Sequence, residues 1–263
     1  MIGAIVGDIV GSIYEWDNIK TKDFPLFKDE CFYTDDTVCT LALADCLMSR
    51  GNPTKYLQDY CRRYPGRGYG GMFKEWIYLE NPKPYYSYGN GAAMRISSLG
   101  LGLSDWDEIE KKVIEYTSVT HNHPLGLAGA LATSEAIFKG KTATDKGYLV
   151  DVLMKYYPTF NISETVDTLR PHYSFNETCQ GTVPQAIICV LYSTDFEDAI
   201  RNAISLGGDS DTLAAIAGSI AEAFYKGVPL SIKEQALNKL TGNFRKVVED
   251  FYYVFGYEIP QTK

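Results

Sequence analysis

Apolar positions along the chain recur at helical spacing, and no alternating run with a hairpin turn interrupts them, so the pattern predicts helices and requires no sheet. The first segment, Ile2 to Tyr14, carries Gly3, Gly7 and Gly11 at intervals of four, a smooth strip on which a second helix can pack closely. Glycine lowers helix propensity, so burial must compensate. Asp8 and Glu15 stand seven apart, nearly two turns, and are expected to project from one face of this segment. Asp8 reads as a polar contact tied to packing, whereas Glu15 closes the helix where a loop begins. Val38 to Met48 is apolar around almost its whole circumference, which places it centrally. Pro53 to Tyr64 is amphipathic, with Tyr56, Leu57, Tyr60, Cys61 and Tyr64 on one stripe and Pro65-Gly66 as its stop.

Further helices are expected from Ala92 to Leu99, from a Ser104 cap to about Thr120 with Ile109, Val113 and Tyr116 inward, and from Leu125 to Phe138 with Pro124 in the first turn. Tyr148 to Tyr157, Ser163 to Leu169, and Val183 to Tyr192 with Pro184 in its first turn continue the series. Asp195 caps Phe196 to Leu206, which breaks at Gly207-Gly208. Leu213 to Tyr225 is rich in alanine, Ser231 with Glu234 forms a capping box for the next helix, and the aromatic tail Phe244 to Phe255 docks on the core. No repeat or linker divides the chain, so the expectation is one all-α domain over residues 1–263.

A net charge of -8 excludes a generic polyanion-binding surface and leaves a local basic pocket as the way to hold phosphate. Nucleic acid is not expected as a partner. The six cysteines, Cys31, Cys39, Cys46, Cys61, Cys179 and Cys189, lack metal-type spacing and read as reduced core thiols. The apolar run Ile2 to Ile13 has no basic leader and is far shorter than the roughly 20 residues of a membrane span, so the expected location is the cytoplasm.

Two stretches carry the candidate chemistry. Thr34-Asp35-Asp36-Thr37 and Gly207-Gly208-Asp209-Ser210-Asp211-Thr212 each gather carboxylates and hydroxyls ahead of a helix. Each is also an ordinary N-cap pattern. As hard oxygen ligands, these side chains suit Mg²⁺, Mn²⁺ or Ca²⁺ rather than zinc. Gathered in one site the carboxylates would drive one another toward protonation, and two divalent cations would keep them ionised. His121-Asn122-His123 lacks a third nearby ligand and reads as a hydrogen-bonding loop, and Cys179 with His172 has no protease signature. Tyr85-Tyr86-Ser87-Tyr88-Gly89-Asn90-Gly91 leads into a helix start, where glycine lets backbone amides approach an anion.

Taken in order, these marks resemble the ADP-ribosylglycohydrolases over nearly the whole chain. The resemblance rests on Gly7-Asp8 with Gly11-Ser12-Ile13-Tyr14-Glu15, Tyr33-Thr34-Asp35-Asp36-Thr37, Gly68-Tyr69-Gly70, Ser87 to Arg95, Thr120-His121, and Gly207 to Thr212. It implies an all-α fold with a cleft holding two Mg²⁺, or Mn²⁺, and hydrolysis of the bond between the anomeric carbon of ADP-ribose and an acceptor. The implied metal ligands are Thr34, Asp35, Asp36, Asp209, Asp211 and Thr212, with Asp211 as the bridge.

The same resemblance puts the diphosphate in the loop Ser87, Tyr88, Gly89, Asn90 and Gly91, with Gly68, Tyr69, Gly70 and His121 lining the cleft. Glu15 is the implied acid or base, aided by neighbouring carboxylates such as Asp35 and Asp36, and its surroundings are similar to those of the ADP-ribosyl-serine hydrolase branch. The substrate would be an ADP-ribose conjugate, including an ADP-ribosylated protein. The chain departs from larger relatives in a shorter stretch after the first acidic cluster and in Asn122-His123-Pro124, which matches no family role. A non-catalytic ADP-ribose-binding protein and a metal-dependent nucleotide pyrophosphohydrolase are the alternatives.

Overall fold

Helical periodicity is borne out along residues 1–257, the part of the chain that the computed structural model describes, as fifteen helices. In chain order they are α1 (Ile2–Gly11), α2 (Asp35–Ser49), α3 (Pro53–Arg63), α4 (Gly71–Tyr78), α5 (Gly91–Met94), α6 (Ser97–Gly102) and α7 (Trp106–Ser118). There follow α8 (Pro124–Gly140), α9 (Gly147–Tyr156), α10 (Val166–Leu169), α11 (Cys179–Leu191), α12 (Phe196–Leu206), α13 (Ser210–Phe224), α14 (Leu230–Asn238) and α15 (Gly242–Val254). Among the described residues there is no strand, only an isolated bridge between Gly89 and Thr178. The end of the domain expected over 1–263 lies outside the described residues.

The glycine strip decides the centre of the fold. A Cβ on Gly3 would lie 2.1 Å from the Gly218 carbonyl oxygen, one on Gly7 2.0 Å from that of Ala214, and one on Gly11 2.4 Å from the Asp211 Cα. Only glycine lets α1 and α13 touch backbone to backbone, and every residue of α1 is buried in consequence. At its start α1 is held by Glu222 of α13, which accepts from the Met1 ammonium and the Gly3 N–H, while the Tyr252 hydroxyl donates to Glu222 and accepts from the Ile2 N–H. Helices α8, α11 and α12 pack around α13, and α2 lies beside α1. The aromatic tail docks as expected: Phe244 of α15 packs among Tyr33, Tyr60 and Tyr64 against α2. All six cysteines are free and buried.

Several expected boundaries shift, each for a local reason. Helix α1 ends at Gly11, so Glu15 sits in the following turn rather than on a shared face with Asp8. Asp105, not Ser104, caps α7, because its carboxylate accepts from the Glu108 N–H. Ser231 lies inside α14, whose N-cap is Pro229, so the Ser231/Glu234 box does not form. The segment from Ser163 becomes helical only at Val166, behind a Thr165/Thr168 capping box. Thr178 caps α11, which starts at Cys179, four residues before the expected start, and this leaves Pro184 inside the helix. Ala92 to Leu99 splits into α5 and α6, and α4 was not expected. Among the described residues no helix is long and apolar enough to cross a membrane.

Candidate active site

The N-termini of α2 and α13 converge, and with them the two acidic stretches. The Thr212 hydroxyl donates to Asp36 Oδ2 at 3.2 Å. Beneath them sits Asp8, wholly buried, accepting from the Thr34 N–H and hydroxyl and from the Thr37 N–H and hydroxyl. Hydrogen bonds to a charged group are worth about 1.5–3 kcal/mol each, so the four of them offset part of the desolvation cost of burying Asp8. Asp8 thus fixes the turn that aims Asp35 and Asp36 into the cleft, and Thr34 also caps α2 by accepting from the Asp36 N–H.

A second turn delivers the partners. Gly207 and Gly208 adopt φ of 69° and 74°, a region that favours glycine, and Asn18 clasps the turn by accepting from the Gly208 N–H at 2.7 Å and donating to its carbonyl at 3.0 Å. The same Asn18 amide donates to the Tyr14 carbonyl, so the loop after α1 is tied to the turn before α13. This tie seats Glu15 beside Asp209 and Asp211, with one carboxylate oxygen of each lying within 4.8 Å of the others.

The donor set fits a divalent cation. Asp36 Oδ1 and Asp211 Oδ1 are buried without a hydrogen-bond partner among the described residues, and an orphan carboxylate oxygen needs a proton or a cation. Burial raises Asp8 to about 6, and burial followed by the charge of Asp209 raises Glu15 to about 7. Burial and then the charge of Asp8 raise Asp35 to about 8, while Asp36 and Asp211 are pushed well above the usual range, by burial first and then by neighbouring carboxylates.

Each of these groups retains a proton in the folded chain above pH of about 4, where the unfolded chain has lost it. Stability without metal therefore falls as pH rises through about 6, 7 and 8. In chelator, the melting temperature is expected to be lower at pH 8.5 than at pH 5.5. Millimolar Mg²⁺ is expected to restore it, more at the higher pH, because cation and protons compete for the same oxygens. A Mg²⁺ effect that is absent, or larger at pH 5.5, contradicts a carboxylate cation site.

Beyond the carboxylates the cleft, of about 430 Å³, runs to the glycine loop. Its walls include Glu15, Asp35, Asp36, Asp209, Asp211 and Thr212 at one end. Gly68, Gly70, Ser87, Tyr88, Gly89, Asn90, Gly91 and His121 continue them. Thr34 and Tyr69 do not line it: the Thr34 hydroxyl is turned to Asp8, and the Tyr69 hydroxyl to the Tyr64 carbonyl. Within the loop the Gly89 N–H donates to Ser87 Oγ and the Asn90 N–H to the Glu177 carbonyl, while the Asn90 side chain donates to Asp209 Oδ2 at 2.6 Å. Asn90 therefore links the glycine loop to the acidic end.

His121 is buried, and burial, followed by the charge of Arg95, holds its pKa well below the usual range. Arg95 donates to its Nδ1 at 3.3 Å, so the neutral ring carries its proton on Nε2, the atom nearest to Gly91. Asn122-His123-Pro124 supports the same loop. Asn122 Oδ1 accepts from the Tyr86 N–H, His123 packs against Tyr86 and Tyr88 and caps α8, and Pro124 opens that helix.

Sequence reasoning missed Arg95, Asn18, Phe73, Phe175 and Glu177. Arg95 is a basic group on the cleft wall, buried, with Nε unpartnered among the described residues, the kind of group that a local phosphate pocket in an acidic chain calls for. It stood in a quoted motif, and the need for a phosphate partner in an acidic chain was the signal. Asn18 carried no signal, since its partner Gly208 is 190 residues away.

The model of the family described as ADP-ribosylglycohydrolase matches residues 1–258. The chain is 26% identical to ADP-ribosylhydrolase ARH3 of Homo sapiens, over 86% of this chain and 84% of that protein. It is 25% identical to ADP-ribosylarginine hydrolase Tri1 of Pseudomonas putida (strain GB-1), over 87% of this chain and 71% of that one. A solved structure titled ADP-ribosylglycohydrolase-related protein complex shares the fold, with a TM-score of 0.71 at 22% identity and 96% of each chain covered.

Proposed function

The chain belongs to the ADP-ribosylglycohydrolase family, and from that premise we propose that it is a divalent-cation-dependent hydrolase that cleaves the bond between the anomeric carbon of ADP-ribose and an acceptor. The observation that carries this reading is the convergence of Glu15, Asp209 and Asp211 within 4.8 Å at one end of a cleft, with Arg95 and His121 on its walls. Carboxylates at one end and cationic or N–H donors along the wall suit a ligand whose sugar and diphosphate are held apart.

Mg²⁺, with Mn²⁺ as its substitute, would be held by Asp35, Asp36, Asp209, Asp211 and Thr212, with Glu15 and Thr34 adjoining. Bound there, two such ions supply the charge that fixes the ribose hydroxyls and polarises water. Arg95 and the Nε2–H of His121 hold the diphosphate, and Asn90 keeps Asp209 in register with that loop. Glu15, raised to about 7 and half-buried, carries the proton that the attacking water loses or the leaving group gains as the ribose develops oxocarbenium character.

The acceptor enters beside Trp16, which is 80% exposed and stacks on Phe175 with centroids 5.2 Å apart. Trp16→Ala is expected to raise KM for an ADP-ribosylated peptide by roughly threefold to tenfold, since such aromatic contacts contribute about 0.5–1.5 kcal/mol beyond area. Affinity for free ADP-ribose should stay unchanged. A shift in ADP-ribose affinity of the same size would remove Trp16 from the acceptor side.

The function is tested by incubating the protein with ADP-ribosylated arginine and serine peptides, with Mg²⁺ or chelator, and weighing the products. Free ADP-ribose and the restored side chain, only with Mg²⁺, are expected. AMP as product makes the protein a pyrophosphohydrolase, and binding without turnover makes it a receptor.

A further inference from the structure

At the far end of the α1–α13 pair, roughly 20 Å of helix from the acidic cleft, lies a second cavity of about 520 Å³. Its walls are mainly apolar, with Leu101, Ala223, Val228 and the rings of Tyr252 and Tyr257. Three lysines border it. Two are already committed: the Lys141 ammonium donates to the Leu101 and Leu103 carbonyls, and that of Lys226 to the Gly140 and Lys141 carbonyls. Glu222, which also lines it, is taken up by the Met1 ammonium, the Gly3 N–H and Tyr252.

The third, Lys233 of α14, is 5% exposed and lines this cavity, and its ammonium has no hydrogen-bond or ion-pair partner among the described residues. With so little solvent around it, Lys233 favours an anionic partner, and burial lowers it from the ordinary lysine range, against the opposing pull of Glu234 and Glu222. We propose that this cavity is a binding site for a small amphipathic carboxylate, its acid group paired with the Lys233 ammonium and its hydrocarbon part against Leu101, Val228 and Ala223. One free ammonium in an apolar chamber matches one negative charge on an apolar body. Bare phosphate would leave the apolar walls of the chamber without a partner, whereas a hydrocarbon body buries them. The size suits a ligand of modest length, since small-molecule sites span about 300–1,000 Å³.

Titration calorimetry of the full chain with octanoate tests this, with octanol and inorganic phosphate as comparison probes. Saturable octanoate binding is expected, weakened roughly tenfold or more in Lys233→Met, since a charged hydrogen bond contributes about 1.5–3 kcal/mol. Octanol should bind no better to the wild type than octanoate binds to that variant. If Lys233→Met does not fold, Val228→Trp, which fills the chamber, should abolish octanoate binding. The proposal is overturned by no saturable octanoate binding at millimolar concentration, by unchanged affinity in the folded variant, or by phosphate binding more tightly than octanoate.

Discussion

Asp211→Ala is expected to remove Mg²⁺-dependent cleavage of ADP-ribosylated peptides, lowering kcat/KM by about a thousandfold or more. Asp211 stands in the first turn of α13, shares the acidic end with Glu15 and Asp209, and carries an oxygen without a partner among the described residues. Misfolding is not the expected cause of the loss. Asp211 is pushed well above the usual carboxylate range by burial and then by Asp209, so removing it relieves repulsion in the metal-free chain. The variant should melt in chelator at a temperature equal to or above that of the wild type, while the rise produced by Mg²⁺ disappears. Turnover that survives with its Mg²⁺ dependence intact would show that the ligand assignment is wrong.

Glu15→Gln is expected to lower kcat by roughly 10²- to 10⁴-fold with little change in KM. Glutamine keeps the shape and one oxygen but neither carries the charge nor exchanges the proton. The wild-type carboxyl sits near the middle of its titration at neutral pH because burial and Asp209 raise it to about 7. Cations beside it would draw that value down, so the acid-side limb of the kcat profile should lie lower in Mg²⁺-saturated enzyme than in enzyme at limiting Mg²⁺. Acid help matters more for a serine alkoxide than for a guanidine, the alkoxide being the stronger base. The loss should therefore be greater on ADP-ribosyl-serine than on ADP-ribosyl-arginine peptides. A rate left intact on both ends the proton-carrying role of Glu15 while leaving the cation site standing.

The parts of the fold legible in the sequence are those whose packing partner is written into the same segment. Gly3, Gly7 and Gly11 announce a close helix neighbour whichever helix it is, and α2, apolar nearly all round, announces its own central position. Helix ends were less legible. Ser104 and Asp105 both suit a cap, and only the bond from Glu108 decides between them. Glu15 leaves the helix face because α1 stops at Gly11 and Asn18 ties the following turn to Gly208, a partner remote in sequence.

The site divides in the same way. The meeting of Asp35, Asp36, Asp209 and Asp211 in one cleft was readable because carboxylates cluster locally in each stretch and the family resemblance joined the two stretches. Their meeting through Asp36 and Thr212, across 176 residues, is a property of the fold. Arg95 was hidden for a related reason. Its importance comes from burial beside Thr120 and His121, which no spacing rule encodes.

The central claim is that the two acidic stretches form one cation centre serving ADP-ribose. Its most direct test is a crystal of the protein grown with Mn²⁺ and ADP-ribose, measured for anomalous scattering at the manganese edge. Two peaks among Asp35, Asp36, Asp209, Asp211 and Thr212, with the ribose against them and the diphosphate beside Arg95 and His121, are the predicted result. Manganese absent from this cleft, or ADP-ribose bound with its diphosphate rather than its ribose at the carboxylates, would contradict it.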